Sequence, residues 1–170
     1  MDKLNIEEVV SALKERFDGS IEHAEMAYDM MVVNVAKDSV HQVLAFLKNH
    51  PVYQFQFLTT LCGLHFPDAP EKYRLGVMYQ LHSLTTNTRI RIKTLFADEP
   101  NAEVPTVTDL FPTANWMERQ EYDFFGLKFK GHPDLRRILN MDDLPMFPMR
   151  KEYQLEDATR TDKDDTMFGR

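Results

Sequence analysis

The stretch "YRLGVMYQLHSLTTNTRIRIKTLF", residues 73–96, constrains the fold of this chain more than any other. Tyr73, Leu75, Val77, Tyr79 and Leu81 recur at every second position, and after the polar link "TTNT" Ile90 and Ile92 alternate with Arg89, Arg91 and Lys93. A period of two puts one set of side chains on each side of an extended strand, so this segment predicts a hairpin with one apolar and one polar face. Just before it, residues 52–62 read as a further strand, with Tyr53, Phe55, Phe57 and Leu61 on one face.

Upstream the period changes to that of a helix. Ile6, Val9, Val10, Leu13 and Phe17 predict an amphipathic helix over residues 4–17 that ends near Gly19. Residues 20–26 and 29–36 read as two short strands. Asp38 is the expected N-cap of a second helix carrying Val40, Val43, Leu44 and Leu47, stopped by His50-Pro51. The order helix, two strands, helix, three strands is an α+β pattern, a two-layer domain over residues 1–97 with helices on one face of a sheet of about five strands.

After Phe96 the character changes. "ADEPNAEVPTVTDLFPTAN" reads as a long ordered connection, and a helix is expected from about Pro112 to Asp123. Gly126 is its expected stop, Gly131 permits a tight turn, and Pro133 fixes the direction of that turn. Residues 98–153 therefore read as a helix, a turn and an arm, and residues 154–170 as a charged tail that either stays disordered or lies along a partner.

Bulk properties exclude several classes. The 170 residues carry a net charge of -7, so nucleic-acid binding is not expected. Cys62 is the single cysteine, which rules out an internal disulfide framework. Its C-x-x-H spacing to His65 has no second pair, and a zinc or iron-sulfur site needs about four ligands. No phosphate-cradling glycine loop and no nucleophile elbow is present. The longest uncharged run is bounded by prolines and falls short of the ~20 apolar residues needed to span a bilayer.

Carboxylates are the remaining chemical candidate. Glu118, Glu121 and Tyr122 share one helix face, and Arg119 to Asp123 is an i, i+4 pair. Such groups can form an acid-base dyad, but the pattern fits solvated helix charges and local ion pairs better. The next segment, "GHPDLRRIL", places Arg136 and Arg137 side by side between apolar anchors, a composition suited to pairing with carboxylates at an interface. His132 reads as a turn histidine satisfied by backbone groups.

"NWMERQEYDFFGLKFKGHPDLRRIL" and the later "PMRKEY" together resemble the signature of the 30-kDa subunit family of respiratory complex I, known in bacteria as the C subunit of NADH-quinone oxidoreductase. The likeness rests on Glu118, Arg119, Asp123, Phe125, Gly126, Gly131, His132, Pro133, Leu135, Arg136, Arg137, Ile138 and Leu139, then Pro148, Arg150, Lys151 and Tyr153. It extends over about residues 52–153. Gln120, Met149, Glu152 and the segment "LPMF" depart from the family pattern.

The resemblance implies a mixed sheet and a chain without catalytic, cofactor-binding or metal residues of its own. It implies a place in the hydrophilic arm of the complex, peripheral on the cytoplasmic side of the inner (plasma) membrane. The implied partners are the 49-kDa-type (D) subunit and the iron-sulfur subunits of the quinone module. FMN and iron-sulfur clusters would lie in other subunits that pass electrons from NADH to quinone, such as ubiquinone. Glu118, Arg119, Asp123, His132, Arg136, Arg137, Arg150 and Lys151 are then the expected docking residues, with Gly126, Gly131 and Pro133 shaping the backbone that carries them. Two other readings stay open: the equivalent subunit of a related membrane-bound hydrogenase or other donor-quinone oxidoreductase, and a free-standing enzyme with a carboxylate site around Glu118 and Asp123.

Overall fold

The computed structural model describes residues 4–99 and 102–153. The expected charged tail, 154–170, lies outside the described residues. Helix α1 spans Ile6–Arg16 and opens on Asn5, whose side chain accepts the N–H of Glu7 at 3.1 Å. Glu7 and Glu8 in its first turn and Lys14 and Arg16 in its last oppose the helix dipole at both ends. Strands β1 (Ile21–Ala27) and β2 (Met30–Val35) come next, and Tyr28 and Asp29 between them both have positive φ. Their mirror-image turn suits the right-handed twist of a hairpin.

Helix α2 (Val40–Asn49) buries Val40, Val43, Leu44 and Leu47, the stripe expected from the sequence. Asp38 does not cap it. It sits in a short 3₁₀ turn, Lys37–Ser39, and the helix starts without a side-chain cap. His50 ends the helix, and its ring stacks on Tyr53 at 3.7 Å.

Strands β3 (Phe57–His65), β4 (Leu75–Ser83) and β5 (Thr88–Phe96) complete a five-stranded sheet in the order β1-β2-β5-β4-β3. β2 and β5 run parallel and the other neighbours antiparallel, so the sheet is mixed. Leu75, Val77, Tyr79, Leu81, Ile90 and Ile92 are all buried, as their alternation requires. β3 departs from the sequence reading. Residues 52–56 precede the strand, and Phe55 is fully buried beside α2, where its N–H reaches the Leu47 carbonyl. A bulge between Leu58 and Thr60 then shifts the alternation by one. Leu58 and Leu61 therefore face inward while Phe57 stays 46% exposed.

The connection after β5 holds β6 (Glu103–Pro105), which pairs in parallel with β7 (Lys128–Lys130). Between them lies α3, Ala114–Phe125, two residues later at both ends than the periodicity suggests. One hydrophobic core runs from Val9 to Phe129 and includes Val104, Val107, Phe111 and Leu127, so the segment beyond residue 97 completes the core of the sheet domain. The arm, residues 131–153, contains no helix or strand and lies against α3 through polar contacts.

Candidate functional site

Helix α3 would be expected to point its charges at solvent. Instead Glu118 and Asp123 are fully buried, Glu121 is 3% exposed and Arg119 7%. The expectation of solvated charges and of an Arg119–Asp123 pair along the helix is therefore overturned. Burying such groups is costly unless each finds strong partners, and each does, in segments outside the helix.

Glu118 faces the connection before the helix, accepting the Val107 N–H at 2.8 Å and the Thr106 hydroxyl at 2.5 Å. Burial pushes its carboxyl up to about 7, against the pull of those two donors. The neighbouring Tyr79 hydroxyl is also buried and has no hydrogen-bond partner among the described residues; burial first, and the Glu118 charge second, hold it well above its ordinary range. Glu121 turns to β3, the edge strand of the sheet, and accepts the Gly63 N–H at 2.6 Å. Burial raises its carboxyl as well, although the Gly63 and Gln120 donors oppose the shift. This contact satisfies an edge donor, and it depends on glycine: a Cβ at Gly63 would lie 2.5 Å from the Phe125 ring and 2.8 Å from the Glu121 carboxylate.

Asp123 holds the arm. Its Oδ2 accepts the N–H groups of Ile138, Leu139 and Asn140 at 3.2, 2.8 and 2.9 Å. Its Oδ1 accepts Arg137 at 2.8 Å and the Asn140 side chain at 3.0 Å. Burial alone would raise this carboxyl, but the Asn140 and Leu139 donors, with Arg137, outweigh it and hold the group well below the usual carboxylate range. Arg119 works on the same segment with the opposite polarity, donating to the carbonyls of Arg136 and Arg137 at 3.1 and 3.3 Å. Its guanidinium also lies 5.1 Å from the ring of Trp116.

The arginines of the arm divide sharply. The Arg137 side chain is 10% exposed. Besides Asp123 it reaches the carbonyls of Leu144 and Met146 at 2.9 and 3.0 Å, and it lies 5.1 Å from the Phe147 ring. Arg150 forms a two-pronged pair with Asp98 at 2.8 and 2.9 Å and donates to the Phe125 carbonyl at 2.7 Å. Arg136, by contrast, is 70% exposed and, among the described residues, pairs with its neighbour Asp134. Lys151 is exposed, while its backbone N–H is accepted by Nδ1 of the buried His65 at 3.0 Å.

The backbone-shaping residues fall at the bends. Gly126 closes α3 in the left-handed conformation, φ 73°, and its hydrogen faces the Phe147 ring, leaving no room for a Cβ. Gly131, φ 86°, starts the arm just after β7. His132 donates through Nε2 to the Asn115 carbonyl at 3.1 Å and accepts the Asp134 N–H at Nδ1, so backbone groups occupy both ring nitrogens. Pro133 is exposed on the outside of that turn.

The side chains of Glu118, Arg119, Asp123, His132, Arg137 and Arg150 thus hold segments of this chain together, Lys151 does so through its backbone N–H, and the Arg136 side chain pairs, among the described residues, with its near neighbour Asp134. Sequence reasoning missed their partners Thr106, Val107, Gly63, Asn140, Asp98 and Phe147. Gly63 carried a usable signal, because an isolated glycine in a strand marks a close backbone approach. The surface clefts between α1 and α2, at the β1–β2 turn and beside Arg150 are lined by other residues, so none of them gives Glu118, Glu121 or Asp123 access to a substrate. Among the described residues no group of three or more His, Cys, Asp or Glu side chains could hold a metal ion, and no helix is long and apolar enough to cross a membrane.

Fold and site together define a two-layer α+β domain: a helix-covered mixed sheet with a long arm strapped to one helix by buried charges. Residues 33–159 match the family described as respiratory-chain NADH dehydrogenase, 30 Kd subunit, and the chain belongs to that family. It is 42% identical to the second C subunit of the NADH-quinone oxidoreductase of Rhizobium etli, over 84% of this chain and 74% of the relative. It is 35% identical to the C subunit of the same enzyme in Mesorhizobium japonicum, over 95% of this chain and 78% of the relative. A solved trypsin-resistant fragment of Nqo5 superposes with a TM-score of 0.66 at 28% identity, covering 78% of this chain and all of the fragment. The fold also matches, at a TM-score of 0.70 and 24% identity, a chain in a membrane-bound sulfane sulfur reductase complex, over 88% of this chain and 85% of that one.

Proposed function

We propose that this chain is a cofactor-free subunit of a proton-translocating NADH-quinone oxidoreductase, peripheral on the cytoplasmic side of the membrane, and that its arm docks onto the 49-kDa-type subunit and the adjoining iron-sulfur subunits. The observation that carries the docking role is the outer surface of the arm. Leu139, Met141 and Met149 are 62, 70 and 52% exposed on a segment whose backbone is fixed from beneath by Asp123, Arg119, Arg137 and Arg150, and Trp116 on the supporting helix α3 is 64% exposed. Large apolar groups held rigidly in water suit an interface, because binding removes their exposure without a large ordering cost. Arg136 stands among them as the docking cation with the freest side chain.

FMN and the iron-sulfur clusters belong, on this reading, to other subunits. This chain contributes rigidity to the path between them and no reacting group, so the isolated chain is expected to have no NADH or quinone activity. Its sequence likeness to the C subunits of NADH-quinone oxidoreductases favours NADH as the donor over the related hydrogenase-type complexes.

The test is a native pull-down of the tagged chain from gently solubilised membranes, with the partners identified and NADH-quinone activity assayed. Recovery of a 49-kDa-type homologue, iron-sulfur subunits and NADH-dependent activity is the expected result. Recovery with a nickel-ligating large subunit would keep the scaffold and change the reaction. Recovery of the chain alone, with turnover, would overturn the proposal.

A further inference from the structure

All three helices pack on one face of the five-stranded sheet. Their buried side chains join the single core formed by Met31, Val33, Val35, Leu61, Val77, Tyr79, Ile90 and Ile92. The alternate residues of the same strands face the other way and lie outside that core. On this outer face β5 carries Arg89, Arg91 and Lys93 at successive outward positions, roughly 7 Å apart by strand geometry.

No carboxylate takes a cross-strand position beside that column; Asp29, in the β1–β2 turn, lines the same cleft as Arg89 but forms no ion pair with it. Register places Val32 and Gln80 on either side of Arg91, Asn34 and Met78 beside Lys93, and His82 beside Arg89. Glu25 lies one strand further out, next to Val32, and already faces His23 at 3.4 Å. Arg91 donates to the Gln80 side chain at 3.1 Å, and among the described residues none of the three cations has an ion pair. A chain of net charge -7 thus concentrates on one strand face three cations without an ion pair among the described residues, beside the partly exposed apolar groups Met78, Cys62 and Leu64.

We propose that this face is a second docking surface, and that it receives an acidic segment of a neighbouring protein subunit. The proposal rests on the reading of the chain as a subunit of a larger complex. Charge complementarity selects the partner: cations of one sign repel one another in the free chain, and carboxylates arriving between them remove that repulsion while steering the approach. The apolar groups between the cations suit the methylene and methyl groups of a folded protein segment. A polynucleotide is disfavoured by the overall negative charge of the chain.

Cys62 makes the test direct. It is the only cysteine, it is half-buried, and it lies on this face one strand beyond the Lys93–Met78 pair. The tagged chain is labelled at Cys62 with a thiol-reactive maleimide, once free and once in the complex recovered from membranes. Met78→Cys serves as a second reporter in case the native thiol reacts slowly. A maleimide-benzophenone at either position then identifies the neighbour by photocross-linking.

The expected result is a labelling rate at least about tenfold lower in the complex, and a cross-link to a segment of another subunit rich in Asp and Glu. Changing Arg89, Arg91 and Lys93 together to Gln should restore labelling or cut incorporation by about tenfold at moderate salt. Equal labelling in the free and assembled chain would overturn this inference and leave the subunit reading intact. So would a cross-link to lipid, to nucleic acid or to residues 154–170 of the same chain. Failure of the chain to co-purify with any complex would overturn both.

Discussion

Changing Asp123 to Asn isolates the contact on which the arm most depends. The substitution preserves shape and leaves one oxygen to accept the three backbone N–H groups of Ile138, Leu139 and Asn140. At Oδ1 it places an NH₂ group opposite Arg137 and the Asn140 amide, both donors, at 2.8 and 3.0 Å. The nearly buried Arg137 guanidinium then loses its one charged partner among the described residues. Breaking one side of a buried pair costs about 3–5 kcal/mol, and the surviving backbone contacts place this variant near the lower end. For a domain of this size the melting temperature should fall by about 6–12 °C. Urea unfolding measures the loss, and limited trypsin digestion shows whether cleavage after Arg136 and Arg137 speeds up before the core unfolds. Adding Arg137→Met to Asp123→Asn removes the stranded charge and should recover part of the loss, a coupling that a double-mutant cycle reads directly. A single-variant loss below about 1 kcal/mol, or two effects that simply add, would show that the pair does not hold the arm.

Two further substitutions probe the other segments tied to α3. Glu118 has a folded value near 7, above its ordinary value of 4.5, so the folded state binds more protons between them and stability falls as pH rises through that window. The contribution is present below about pH 4.5 and lost above 7, on the order of 3 kcal/mol across the range; Glu118→Gln should flatten that slope in urea titrations at successive pH values. Gly63→Ala forces a methyl group into the Phe125 ring and the Glu121 carboxylate. It should cost about 1–3 kcal/mol in unfolding experiments and speed hydrogen exchange in α3.

Periodicity made part of the fold legible in the sequence. The β4–β5 alternation gave both strands and their inward residues, and the Val40, Val43, Leu44, Leu47 stripe gave the buried face of α2. β3 was misaligned because a bulge at Leu58/Thr60 reverses alternation without leaving a mark in composition. The α3 charges were misread for a deeper reason. Local pattern treats Glu, Arg and Asp on a helix as solvent-facing, whereas here many of their partners are backbone groups 11 to 58 residues away, in Val107, Gly63 and the arm. Such partners have no side-chain signature, so only the tertiary structure reveals them. The motif marked the right region, and the structure supplied the role of each residue within it.

That distinction changes how an assembly defect should be interpreted. Arg136 and Arg137 are adjacent, alike in sequence, and opposite in situation: one is 70% exposed beside Asp134, the other 10% exposed and bound to Asp123 and two carbonyls. A double alanine variant that failed to assemble would prove nothing about contact, because removing Arg137 leaves a buried Asp123 without its counter-charge. The single variants separate the causes. Arg136→Ala should change unfolding stability by less than about 0.5 kcal/mol, since an exposed pair contributes little, yet lower recovery of the tagged chain in the complex. Arg137→Ala should lower stability by about 3 kcal/mol and reduce assembly through a loosened arm, and conditions that stabilise the fold should partly restore it. If Arg136→Ala assembles as well as the unmodified chain, the exposed cation has no docking role, and recognition rests on Trp116, Leu139, Met141 and Met149 held in place by the charges beneath them.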